Sequence, residues 1–243
     1  MYDIHCHLIP GIDDGADILD ETLQMLRLAA SGRTRGVICT PHCNIPGTYQ
    51  NYYDADFEKR FRSLKRLTVE QRIPVDIYLG QEIFLSGDIS RLLREEKLIT
   101  LNRSAYLLCE FDPYERIENA CSKLERICAE GYIPIVAHPE RYHFITEIPS
   151  AADRLKAIGA LLQINKGSLT GAFGHAATQA AHRLLERRKA DFIASDAHSP
   201  YIRTPFLGDA HEIVSEHYSM HYADHLLFNN PLRVIRNQKI YCY

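Results

Sequence analysis

Short apolar runs that alternate with amphipathic helices fill this 243-residue chain and leave few folds open to it. Seven of them read as strands: Tyr2 to His7, Gly36 to Thr40, Val75 to Leu79, Ala105 to Glu110, Ile133 to Ala137, Leu161 to Ile164 and Asp191 to Ser195. Runs such as Gly36-Val37-Ile38-Cys39-Thr40 are apolar throughout, the pattern of strands buried on both faces. Helical periodicity between them spans Asp20 to Ala30, Asp54 to Gln71, Asp88 to Glu95, Ile117 to Glu130, Ala151 to Ile158 and Ala172 to Arg188. Two further helices, Pro205 to Tyr218 and Ala223 to Arg236 around Pro231, follow as a C-terminal cap. Such alternation predicts a parallel sheet, either open and doubly wound or closed into a barrel. No repeat, low-complexity tract or linker divides the chain, so residues 1–243 are expected to form a single domain.

What stands at the end of each run decides between sheet and barrel. His5 and His7 end the first, one residue apart, so both imidazoles point to one face of a strand and can close on one metal ion. His42 follows the second run, Glu82 the third and His138 the fifth; Glu110 ends the fourth, and Asp196 and His198 follow the seventh. Asp14 joins them from the turn Asp13-Asp14-Gly15. Only a barrel brings so many strand ends to one centre, which predicts a distorted seven-stranded (β/α) barrel with its site on that face. Each donor alone has a plain explanation as a turn residue, a helix cap or a hydrogen-bonded core imidazole. Together, nine nitrogen and oxygen donors among apolar runs are costly to bury unless cations satisfy them.

Nine such ligands suffice for three divalent ions with open positions, and a mixed set without cysteine suits manganese, iron or zinc. A cluster of that kind can polarise a phosphoryl oxygen, activate water and stabilise a leaving oxygen, the requirements of phosphoester hydrolysis. Arg141 and Arg203 stand on loops after His138 and His198, where guanidinium forks could hold a phosphate. Cysteine chemistry is not expected. The seven cysteines include no CxxC pair and read as reduced thiols, and none heads a phosphate loop. Cys121 with Arg126 comes nearest in spacing, inside a predicted helix without glycines.

The net charge of -3 gives no footprint for nucleic acid. No apolar run approaches the roughly 20 residues that span a bilayer, and Met1-Tyr2-Asp3 leads directly into a strand, so neither membrane insertion nor a signal peptide is expected and the chain is placed in the cytosol. The loop from Cys43 to Tyr53 follows a strand and carries three tyrosines, a place for substrate contacts.

His5-x-His7, Asp13-Asp14-Gly15, Thr40-Pro41-His42, Gly80-x-Glu82, Glu110-Phe111, Ala137 to Tyr142 and Ala194 to His198, taken in order, resemble the polymerase and histidinol phosphatase (PHP) superfamily. Over nearly its whole length the chain is similar to the bacterial manganese-dependent protein-tyrosine phosphatases of capsule and exopolysaccharide operons. That resemblance implies a three-ion site, with His5, His7, Glu82 and Asp196 on one ion, Glu82, Glu110 and His138 on a second, and Asp14, His42 and His198 on a third. It implies attack on phosphorus by metal-bound hydroxide, with Arg141 and Arg203 gripping the phosphate and Asp14 counted among both ligands and catalytic groups. The implied partner is a phosphotyrosine protein, such as the tyrosine-rich tail of a polysaccharide-synthesis kinase. Cys43 departs from the histidine or arginine expected beside His42. A metal-dependent amidohydrolase would carry lysine where Glu110 stands, a histidinol-phosphate phosphatase would carry histidine at Asp14, and a metal-bound regulatory protein without catalysis would not need the full ligand set.

Overall fold

The computed structural model describes residues 1–241. Its elements run β1 (Tyr2–Cys6), α1 (Leu19–Ser31), β2 (Gly36–Cys39), β3 (His42–Cys43), α2 (Ala55–Glu70), β4 (Asp76–Leu79), β5 (Glu82–Phe84), α3 (Ile89–Arg94), β6 (Tyr106–Glu110), α4 (Ile117–Ala129) and β7 (Ile133–Ala137). After β7 come α5 (His143–Glu147), α6 (Ala151–Ile158), β8 (Leu161–Asn165), α7 (Lys166–Leu169), α8 (His175–Glu186), β9 (Phe192–Ala194), α9 (Gly208–His217), α10 (Met220–Asp224) and α11 (Asn230–Ile235). Helix starts follow local chemistry: the Asp54 and Asp88 carboxylates accept from Phe57 N and Arg91 N and so cap α2 and α3. In α4 the buried side chains Ile117, Ala120, Cys121, Leu124 and Ile127 recur at helical spacing and face the sheet. Cys121 and Arg126 lie within this helix, so their spacing forms no phosphate loop.

All strand pairings among the described residues are parallel and fall into two sheets, β1-β2-β4 and β3-β5-β6-β7-β8-β9. Nine strands therefore stand where seven are read from the apolar runs. The second run breaks at Thr40-Pro41 and the third at Gly80-Gln81. Pro41 has no amide proton to give to a ladder, and Gly80 contributes no side chain to pack. Register nevertheless carries across both breaks: Cys39 stands opposite Leu79, and His42 opposite Glu82. At the other edge, Cys6 makes a single parallel bridge with Ala197, Asp196 N donates to His5 O at 2.9 Å and His7 N to Ala197 O at 2.9 Å.

Three differences from the sequence reading lie in the second half of the chain. The strand read as Leu161 to Ile164 runs on to Asn165, which also caps the short helix α7, its side chain accepting from Gly167 N. Helix α8 starts at His175 rather than Ala172. The cap has three helices joined by a π-type turn at His225–Asn229, because Pro231 can enter a helix only in its first turn and so opens α11. No helix among the described residues is long and apolar enough to cross a membrane. Six cysteines are free, and Cys242 lies outside the described residues.

Candidate metal centre

The strand ends and the turn at Asp14 bring all nine donors into one cluster. His5 and His7 leave β1 on the same face with their Nε2 atoms 3.2 Å apart. Glu82 Oε2 lies 3.2 Å from His5 Nε2 and 3.5 Å from His7 Nε2, while Asp196 Oδ1 lies 3.4 and 3.5 Å from the same two atoms. Glu82 also reaches the other way, with Oε1 2.9 Å from His138 Nε2, which is in turn 3.7 Å from Glu110 Oε1. Asp14 Oδ1 sits 3.4 Å from both His42 Nε2 and His198 Nε2. His42 is two-sided: its Nδ1 comes within 2.9 Å of Glu82 Oε2 and 3.5 Å of Glu110 Oε2. It therefore touches donors of both the second and the third expected groups.

A second layer, not foreseen from the sequence, aims these donors. Asp13 Oδ2 accepts from His7 Nδ1 at 2.7 Å and from His42 N at 2.9 Å, Gln163 Oε1 accepts from His5 Nδ1 at 2.9 Å, and the Asp196 carbonyl accepts from His198 Nδ1 at 3.0 Å. With each Nδ1 engaged as a donor, the Nε2 lone pairs of His5, His7 and His198 face the centre. Gly15 completes the turn, donating to Asp13 Oδ1 at 3.0 Å; a Cβ there would lie 2.4 Å from His7 Cβ, so a side chain at this position would displace the ligand strand. The signal for Asp13 was its place in the Asp13-Asp14-Gly15 motif, but the sequence offers nothing to separate Gln163 from an ordinary strand residue. His138, Asp196 and Arg203 hold φ of 33°, 49° and 56°, left-handed values rare outside glycine and concentrated at working sites.

Arg141 and Arg203 approach through Asp196. Its Oδ2 is ion-paired with Arg203 at 2.5 Å and accepts from Asn165 Nδ2 at 2.6 Å and Arg141 at 3.3 Å, leaving Oδ1 toward the histidines. Cys43, beside His42, turns away: it is buried in the core and its thiol donates to Gln50 O at 3.1 Å. At the rim, Tyr49 stacks on His42 with ring centroids 5.9 Å apart and planes 5° from parallel.

Burial alone would raise the Glu82 carboxyl, but the His5 and His42 imidazoles outweigh it and hold the group well below the usual range. Burial likewise works against a charged His42, and the Glu82 and Glu110 carboxylates overcome it to lift the imidazole to about 10. Protons here balance buried carboxylates, and divalent cations compete for the same lone pairs. His42 Nδ1, Glu82 Oε2, Glu110 Oε2 and His198 Nε2 are buried and, although each lies close to an opposite group, none makes a well-aligned hydrogen bond. Imidazole nitrogens and carboxylate oxygens aimed at one another in this way fit divalent cations. If they bind them, Asp13→Ala should weaken metal binding about ten- to a hundred-fold by freeing His7 to rotate. Competition against a chromophoric chelator would measure this, and unchanged affinity would remove Asp13 from the site.

A parallel α/β scaffold with a mixed imidazole and carboxylate cluster at its strand ends is the construction of a metal-dependent hydrolase. Residues 1–236 match the family described as capsular polysaccharide synthesis, CpsB/CapC, and the chain belongs to that family. It is 36% identical over 242 residues to the tyrosine-protein phosphatase YwqE of Bacillus subtilis, covering 99% of this chain and 94% of that one. It is 26% identical over 245 residues to the tyrosine-protein phosphatase CpsB of Streptococcus agalactiae, covering 99% and 100%. Among solved structures it superposes with a TM-score of 0.93 and 34% identity on one from a study of YwqE and Streptococcus pneumoniae CpsB, described as metal-dependent tyrosine phosphatases, covering 100% of this chain and 97% of that one. A zinc-containing histidinol phosphate phosphatase from Lactococcus lactis shares the fold at 15% identity and a TM-score of 0.55, covering 93% and 94%.

Proposed function

We propose that this chain is a metal-dependent protein-tyrosine phosphatase. The observation that carries the reading is the meeting of nine metal-type donors with two arginines on Asp196, beside the histidines that carboxylate faces. His5, His7, Glu82 and Asp196 would hold one cation, Glu82, Glu110 and His138 a second, and Asp14, His42 and His198 a third, with Glu82 shared. Manganese is the expected metal, with iron or zinc compatible with the same donors. When bound, divalent cations supply Lewis-acid polarisation of the phosphoryl group and acidify water. This chain's part is to hold the donors, to bring Arg141 and Arg203 onto the phosphate oxygens, and to present Tyr49 as an aryl surface at the rim.

No cysteine among the described residues is placed to act as nucleophile. Cys6, Cys39, Cys43 and Cys109 are fully buried, and burial pushes the Cys39 thiol up to about 12 and the others above their ordinary value.

The wider reading is one domain over residues 1–243, acting in the cytosol on a phosphotyrosine protein such as a kinase of polysaccharide synthesis. Its two sheets would be arcs of one distorted seven-stranded barrel, supported by the shared register of β2-β3 with β4-β5 and by the bonds between β1 and the segment after β9. Asp3 adds to that seam by accepting from His5 N and Ser195 N at 3.2 and 3.1 Å.

Elemental analysis joined to activity tests the proposal. Purified protein should carry divalent metal and hydrolyse phosphotyrosine peptides in preference to phosphoserine ones. A chelator should abolish turnover, manganese should restore it, and thiol alkylation should leave it intact. Full turnover in metal-stripped protein, or rapid loss on alkylation with metals retained, would refute it.

A further inference from the structure

Among the described residues, Phe173 is the one aromatic ring that touches both arginines. Its centroid lies 4.8 Å from the Arg141 guanidinium carbon and 5.5 Å from that of Arg203. Each guanidinium is thus held twice, by the Asp196 carboxylate and by the ring. The ring has its own seat: a Cβ on Gly167 would lie 2.8 Å from Phe173 Cε2, a distance real side chains do not reach. Phe173 and Arg203 also line a hollow of about 360 Å³ that opens beside the cluster, with exposed Tyr201 and Ile202 at its edge.

Resting on the phosphatase reading above, we propose that Phe173 is a positioning residue, an aromatic shelf that pre-orders both guanidiniums for one phosphate. A second carboxylate would neutralise the forks and occupy their N–H donors, in direct competition with the anion. An aromatic face attracts the cations through its quadrupole while leaving charge and donors free. It adds to the Asp196 carboxylate in holding two like charges close together before the anion arrives. The benefit is preorganisation, so it should show in anion affinity as well as in turnover.

The test uses Phe173→Leu, which keeps an apolar side chain on Gly167 but removes the quadrupole, and Phe173→Tyr, which keeps the ring. Binding of inorganic phosphate to the manganese-loaded protein is read by calorimetry, alongside kcat and KM for a phosphotyrosine peptide and metal content. Phe173→Leu should bind phosphate about three- to thirty-fold more weakly with its metals retained, and Phe173→Tyr should stay within about two-fold of wild type. In an Arg141→Ala/Arg203→Ala background, Phe173→Leu should cost nothing further, because the shelf has nothing left to position. Wild-type phosphate affinity in Phe173→Leu, an equal loss in the arginine-free background, or failure of Phe173→Tyr to recover would each overturn the proposal. Calorimetry needs no turnover, so a protein that binds phosphate as described but spares phosphotyrosine would refute the phosphatase reading and leave the shelf standing.

Discussion

Replacing Glu82 with alanine should strip the centre of metal and lower kcat/KM by at least about a thousandfold, the several kcal/mol that metal ions contribute to phosphoryl charge stabilisation. Glu82 is fully buried and is the one carboxylate among the described residues that touches four of the histidines, with Oε1 2.9 Å from His138 and Oε2 2.9, 3.2 and 3.5 Å from His42, His5 and His7. It spans both halves of the cluster from the first residue of β5. The metal-free variant should also be less stable than the metal-free parent, since loss of one partner leaves buried imidazolium charge uncompensated, at about 3 to 5 kcal/mol. Glu82→Gln, which keeps the shape and loses the charge, should fall between the two in metal content. Mass-spectrometric metal analysis beside thermal melts would check this; a Glu82→Ala protein with its full complement of metal and wild-type turnover would remove the residue from the centre.

The arginines should separate anion binding from metal binding. Arg141→Ala and Arg203→Ala should each keep saturating metal and lose about ten- to a hundred-fold in kcat/KM, the value of a charge-assisted hydrogen bond in a half-buried site. Lysine at either position should recover part of the loss, because an ammonium supplies charge without the planar fork. The double variant should lose more than either single one. It should also bind metal less firmly, since both guanidiniums pair with Asp196 Oδ2 and only Asn165 would remain to orient that carboxylate. Wild-type kcat/KM in both single variants would show that the phosphate is held elsewhere.

Much of this centre is legible in the chain alone. Apolar runs a few residues long declare buried strands, and a histidine or carboxylate at the end of such a run is conspicuous because an unpaired polar group there is so costly. His5, His7, His42, Glu82, Glu110, His138, Asp196 and His198 all follow from that one rule, and Asp14 from its turn. The helices follow from periodicity and caps, except where local hydrogen bonding outweighs it, as at Asn165, whose side chain turns a strand end into the start of α7.

Other features depend on contacts between residues far apart in sequence. Pairing of His42 with Glu82 gives His42 two faces, so its Nδ1 meets the group expected around Glu110 while its Nε2 meets Asp14. Gln163 beside His5, Asn165 beside Asp196 and Phe173 beneath both arginines carry no mark in their own neighbourhoods. Periodicity records which way a side chain points from its own strand or helix, so the sequence by itself determined the parallel α/β class and the kind of chemistry. Which donors face one another, and what holds them there, was decided by the tertiary structure, because imidazole, carboxylate and guanidinium interact only over the few ångströms that folding leaves between them.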